Sequence, residues 1–207
     1  MITRYEDLSV AKYLEIVAAN DDEGLDEIER QVRIVSILSG VTEEELLHLP
    51  IEEYSQMARG ADFLISVPDY KPEVREEYRC GDFVLAPVKD FRKLETGQYI
   101  DFKAYAVDKE KYFLQLLSVL LVPKGHRYNE GYDIDELQKA LGEMPMTEAL
   151  AIVAFFLLSW QRLIADSLNY SERAAKRIQD PMMREKTLKE IAKVRTASKP
   201  SGDGSQA

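Results

Sequence analysis

Residues 146–168 read MTEALAIVAFFLLSWQRLIADSL, and this stretch decides the fold. It is apolar on nearly every side through Trp160 and then becomes amphipathic, which predicts one helix from Met146 running as far as Ile178. At about 1.5 Å per residue such a helix is about 50 Å long. Pro181 interrupts it, and a short basic helix, Met182–Val194, is expected to follow. The last residues, TASKPSGDGSQA, have the composition of a disordered tail.

Shorter helices are expected upstream. Ser9 caps the first, with Val10, Leu14 and Val17 on one stripe. The second starts near Leu25, carries Ile28, Val32, Val35 and Leu38, and ends at Gly40 as a left-handed cap. Thr42-x-x-Glu45 is a capping box, and Pro50 opens a helix that should reach about Phe63. Residues 66–96 then change texture, with Pro68, Pro72, Gly81 and Pro87. Tyr78-Arg79-Cys80 and Phe83-Val84-Leu85 flank Gly81-Asp82, the pattern of a two-residue hairpin. Thr96 is read as the cap of a helix bearing Tyr99, Ile100, Phe102 and Tyr105. Asp108 is read as the cap of a central helix, Lys109–Val122, and Asp133-x-x-Glu136 as a capping box for a helix to Leu141. The fold class is therefore mainly α: a compact multi-helix domain with one small β-hairpin insertion and a long C-terminal helix. The expected organisation is a helical core over 1–171 with the hairpin near 74–88, a basic helical extension over 172–195 and a disordered tail over 196–207.

The charge is uneven. Residues 172–199 hold nine Lys/Arg against four Asp/Glu, whereas residues 1–171 hold 18 against 32, within a chain of formal net charge −10. An acidic body repels phosphate backbones, so nucleic acid is not expected as a partner of the body, and only the arm is a candidate for it. A single cysteine, Cys80, rules out an intramolecular disulfide and favours a reducing compartment. The opening residues, MITRYEDLSVAKY, do not have the basic-then-apolar form of a signal peptide. The two most apolar runs, Tyr112–Val122 and Ala149–Trp160, fall short of the roughly 20 residues that span a bilayer. They are read as buried helices, with no membrane partner expected.

No catalytic, cofactor or metal site is expected. His48 and His126 lie far apart and match no zinc spacing, and no phosphate-binding glycine loop is present. Cys80 sits at a hairpin without a neighbouring base, which favours a structural thiol. The acidic runs Asp21-Asp22-Glu23 and Glu43-Glu44-Glu45 lie near helix starts, where they offset the dipole. Three stretches remain as partner-binding candidates. In the loop Lys124–Tyr132, the cations Lys124, His126 and Arg127 are placed to hold an anion, with Tyr128 and Tyr132 stacking, unless the tyrosines simply pack on the domain. In the basic arm, Arg173, Lys176 and Arg177 suit an acidic partner, unless the arm is a solvated helix laced with ion pairs. On the long helix, Phe155, Phe156 and Trp160 form a partner or self-association surface to the extent that they stay exposed.

Three local patterns carry a family resemblance. They are Ile34-Val-Ser-Ile-Leu-Ser-Gly-Val-Thr-Glu-Glu-Glu45, then Leu94-Glu-Thr-Gly-Gln-Tyr-Ile-Asp101, then Leu121-Val122-Pro123 with Tyr128 and Tyr132. Together, from about Leu8 to about Trp160, they resemble virion-assembly proteins of tailed phages of Bacteroides-type hosts, in particular the helical tail-assembly chaperones. The resemblance implies a non-enzymatic protein that self-associates and keeps a tape-measure protein soluble while tail-tube subunits gather on it. It implies residence in the host cytoplasm or in the virion. A minor virion structural protein fits the same features. The competing expectation is a regulatory or nucleic-acid-binding module that uses the basic C-terminal helix.

Overall fold

The computed structural model describes residues 1–197. The chain forms two compact units, Met1–Phe156 and the remainder from Leu157. The division falls inside the long helix, upstream of Ser171 where composition alone places it. The described residues hold nine α-helices and one three-stranded antiparallel sheet, a mainly α fold with a long helix near its C-terminal end. The expected tail lies outside the described residues from residue 198 on.

The N-terminal helices are α1 (Val10–Asp21), α2 (Glu27–Ser39), α3 (Glu43–Leu47) and α4 (Ile51–Arg59). Their ends follow local chemistry. The Ser9 hydroxyl accepts the Lys12 amide at 3.4 Å. Thr42 and Glu45 exchange the two bonds of a capping box. Asp26 and Glu29 form a second box at the start of α2. Gly40 ends α2 at φ 74°, its amide donating to the Ser36 carbonyl at 2.8 Å. α4 stops at Arg59, short of the expected Phe63. Gly60 tightens the last turn by donating to the Met57 carbonyl, and a 3-10 turn, Asp62–Ile65, follows. Two apolar groups hold these helices together. Leu8, Ile16 and Leu38 form one, and Val32, Val35 and Leu46 form the other.

The hairpin is present as β1 (Tyr78–Cys80) and β2 (Phe83–Pro87), with Gly81 in the turn at φ 54°. A third strand, β3 (Leu121–Pro123), pairs with β2 on its other side. This corrects the reading of Lys109–Val122 as one helix. The helix, α6, covers only Phe113–Leu120. Before it, Lys109-Glu110-Lys111 are exposed and charged, and Asp108 caps only a turn by accepting the Lys111 amide.

Gln98 on α5 (Thr96–Tyr105) marks where α6 ends. It is 2% exposed. Its Nε2 donates to the Val119 carbonyl at 2.6 Å, and its Oε1 accepts the Glu95 amide at 3.3 Å. One buried side chain thus satisfies an orphan amide at the start of α5 and a carbonyl in the last turn of α6. The chain leaves the helix at Leu121, and Pro123, which has no amide to donate, sits on the edge strand where none is needed. The ladder continues through the Lys124 amide to the Val84 carbonyl at 2.8 Å.

α7 (Ile134–Gly142) starts at Asp133, whose carboxylate accepts the Asp135 and Glu136 amides at 2.8 and 3.2 Å. α8 (Met146–Ala175) is a single 30-residue helix. Its first turn is tied to the N-terminus: Val10 donates to the Met144 carbonyl at 2.9 Å and Met146 to the Leu8 carbonyl at 2.7 Å. Phe91, Phe102 and Phe156 meet edge-on, with centroids 4.9 and 5.8 Å apart, at the centre of the first unit. In the second unit α9 (Pro181–Ala197) begins with proline at its first position, and Asp180 accepts the Met182 and Met183 amides at 2.9 and 3.2 Å.

Gln98→Ala should lower unfolding free energy by about 1–3 kcal/mol, because it strands a buried carbonyl. Urea denaturation followed by far-UV circular dichroism checks this. An unchanged midpoint would mean that the helix-to-strand switch does not depend on Gln98.

Candidate functional site

The loop after β3 is built on left-handed residues. Gly125, Asn129 and Gly131 have φ of 87°, 57° and 82°. Asn tolerates this region better than most side chains. At Gly131 a Cβ would lie 2.6 Å from His126 Nδ1, so both backbone and space demand glycine. The loop is pinned to α5 where the Tyr128 hydroxyl donates to Asp101 Oδ2 at 2.8 Å. It is pinned to itself where the Asn129 amide donates to the Tyr132 oxygen at 2.9 Å. Burial, then the bond to Asp101, push the Tyr128 phenol up, and burial does the same to Tyr132, so both stay neutral at ordinary pH.

These contacts border an open cavity of about 350 Å³, lined among others by Asp101, Tyr105, Ser118, Tyr128, Tyr132 and Gln138. Tyr128 and Tyr132, both singled out by sequence, come together on it. Arg127 does not join them: it is exposed and faces Glu95, with Nε 3.7 Å from Oε1. Lys124 pairs with Glu77. His126 meets the Tyr132 ring edge-on, with centroids 5.9 Å apart, while Lys124 and Arg127 turn to carboxylates, so the three do not converge on an anion site. Sequence reading missed Asp101 and Tyr105, which sit one helical turn apart on α5. The i, i+4 spacing of an acid and an aromatic was visible, but nothing in the sequence set it against the loop.

On α8 the buried stripe Ala149, Ile152, Val153 and Phe156 has the i, i+3, i+4, i+7 spacing of a core face. Phe156 is fully buried against Phe91, which corrects its place among the contact candidates: it is a core residue. Phe155, Trp160, Leu163 and Ile164 are partly buried, and Leu158 is 41% exposed. Within this helix an 18-residue window has mean hydropathy 1.6, yet only 22% of it is buried. By length and composition α8 is long and apolar enough to cross a membrane. The uninterrupted run Ala149–Trp160, too short by itself, leaves out Leu163, Ile164 and Leu168, which carry the apolar character further along the helix.

In the arm, Lys176 pairs with Glu172 at 2.9 Å, Lys189 with Glu185 at 2.7 Å and Lys193 with Glu190 at 2.8 Å. Arg195 bonds Glu172 at 2.9 Å and Asn169 at 3.1 Å, tying α9 to α8. Hydrogen bonds from Lys176 and Arg195 hold the Glu172 carboxyl below its usual range. Arg173 and Arg177 are exposed. With Lys176 they lie at the C-terminal end of α8, where cations favour the helix dipole.

Cys80 is buried, and burial pushes its thiol up to about 11, which disfavours the nucleophilic thiolate. Among the described residues no three His, Cys, Asp or Glu side chains form a metal-holding group. Comparison with protein-family models, curated proteins and solved structures finds no match.

Gly131→Ala should destabilise the protein by roughly 1–2 kcal/mol, the cost of a left-handed Cβ residue, and should loosen the cover over the cavity. Thermal melting and amide exchange at Tyr128 and Asn129 measure both effects. Unchanged protection at these amides would show that His126 yields without disturbing the loop.

Proposed function

We propose that the protein is a non-enzymatic assembly factor that acts by protein–protein contact through α8. The observation that carries this reading is the poor burial of α8's apolar window, 22% at a mean hydropathy of 1.6. Leu158 is exposed and Phe155, Leu163 and Ile164 are only partly buried, and a helix-in-groove or helix-on-helix partner would cover the apolar surface they leave. In its specific form the protein is a tail-assembly chaperone or minor virion structural protein of a tailed phage, and the partner is a long apolar helix of a tape-measure or tail-tube protein. The sequence patterns at Ile34–Glu45, Leu94–Asp101 and Leu121–Tyr132 support that form. Between partners, the same face is covered by a second copy of the chain. The ion pairs along α9 and the end of α8 support a solvated arm that keeps such complexes dispersed.

Light scattering behind size exclusion tests this on the full chain and on Leu158→Lys. The expected result is an oligomer for the full chain and a smaller species for the variant, which keeps the same far-UV circular dichroism spectrum. Coexpressed tape-measure protein should stay in solution with the full chain and lose that protection with the variant. A monomer that ignores tail proteins would sink the reading. Flotation of the full chain with phosphatidylcholine vesicles would instead assign α8 to a lipid partner.

A further inference from the structure

The cavity beneath the Tyr128–Tyr132 loop has a chemistry that the α8 reading does not use. Its lining holds one formal charge, the Asp101 carboxylate, and three tyrosines, Tyr105, Tyr128 and Tyr132. Among the described residues no Lys, Arg or His forms an ion pair with Asp101, and its one bonded partner is the neutral Tyr128 hydroxyl. The nearby tyrosines behave differently. Lys103 Nζ lies 6.0 Å from the Tyr99 ring centre and Lys111 Nζ 5.0 Å from that of Tyr112, so the chain's own cations already sit on those rings. No lysine or arginine is placed over Tyr105, Tyr128 or Tyr132 among the described residues, although the Tyr132 ring meets the His126 ring edge-on at 5.9 Å and the Tyr105 ring lies 5.5 Å from that of Tyr112.

We propose that this cavity, between α5, α6, α7 and the loop, binds an organic cation: a substituted ammonium or a guanidinium group. Tyrosine rings attract a cation through the negative face of the ring, and a carboxylate at the wall supplies the counter-charge. An anion is disfavoured, because Lys124 and Arg127 are held by Glu77 and Glu95 and the cavity keeps only negative charge. A divalent metal is disfavoured, because one carboxylate supplies too few oxygens. The volume, about 350 Å³, lies near the lower bound of roughly 300 Å³ for ligand sites and suits one side chain or one small molecule. The group arrives either as a free small amine or as a Lys or Arg side chain of a partner. The recognition chemistry is the same for both.

The test titrates the isotopically labelled full chain by NMR with choline, with methylguanidinium, with a short Lys/Arg peptide, and with acetate as the anionic control. Saturable shifts at Tyr128, Tyr132 and Asp101 are expected with a cationic probe and not with acetate. Asp101→Asn keeps an acceptor for the Tyr128 hydroxyl and should weaken binding tenfold or more, while the exposed control Asp62→Asn should match the unsubstituted chain. Tyr105→Leu, which leaves the Tyr128–Asp101 bond in place, should also weaken binding and serves if Asp101→Asn fails to fold. Binding of the free cations identifies a small-molecule site, and binding of the peptide alone identifies a partner's basic side chain. Either result upholds the proposal. No saturable response to any cationic probe, an equal response to acetate, or unchanged affinity in the variants that fold overturns it. Because α8 is untouched, this outcome is independent of the oligomer experiment.

Discussion

The fold turns on one buried amide side chain. Gln98 joins the first turn of α5 to the last turn of α6, and in doing so it satisfies the end of an apolar helix inside the protein, where water is not available to do so. With α6 closed at Leu120, the next three residues are released to extend the hairpin into a three-stranded sheet. The direction in which the chain leaves that sheet then sets the course of the Lys124–Asp133 loop. That loop returns over α5, where the Tyr128 hydroxyl donates to Asp101. The sheet edge, the loop and the cavity are successive consequences of where one helix stops.

Much of this architecture is legible in the sequence because it is encoded by short-range chemistry. Ser9, Gly40, Thr42 with Glu45, Asp133 and the Gly81-Asp82 turn act within four residues of themselves, and each stands where its residue type predicts. Two of the misses, the strand after α6 and the α5 side of the cavity, share a cause. Leu121 and Val122 are as apolar as the helix before them, and an unbroken apolar run has no period that separates helix from buried strand. The deciding partner, Gln98, lies 21 residues away from Val119. Asp101 and Tyr105 escaped notice for the same reason, since Tyr128 is 27 residues from Asp101 and no local pattern links them.

The long helix shows how one compositional signal covers two situations. Its first three turns present a regular stripe, Ala149 to Phe156, that the core of the first unit absorbs completely. Past Phe156 the residues remain apolar, but the stripe no longer finishes in full burial: Leu158 is 41% exposed, and Trp160, Leu163 and Ile164 are intermediate. Hydropathy counts both parts alike, which is why an apolar run predicted a buried helix throughout. Burial separates them, and it moves Phe156 to the core while leaving its neighbours as candidates for contact.

Charge placement separates the cavity from the surface around it. The acidic body has enough carboxylates to neutralise the loop's cations one by one, Lys124 through Glu77 and Arg127 through Glu95. Those exposed pairs contribute little stability, but they remove the positive charge that a run such as Lys124-Gly-His-Arg127 suggests when read alone. What remains facing the cavity is a carboxylate bonded to a neutral phenol. Burial pushes the Tyr128 and Tyr132 phenols up, so neither adds charge to a lining whose one acidic side chain is Asp101. A basic-looking loop thus covers a site of the opposite sign, and the sign follows from which side chains the fold pairs rather than from how many the sequence contains.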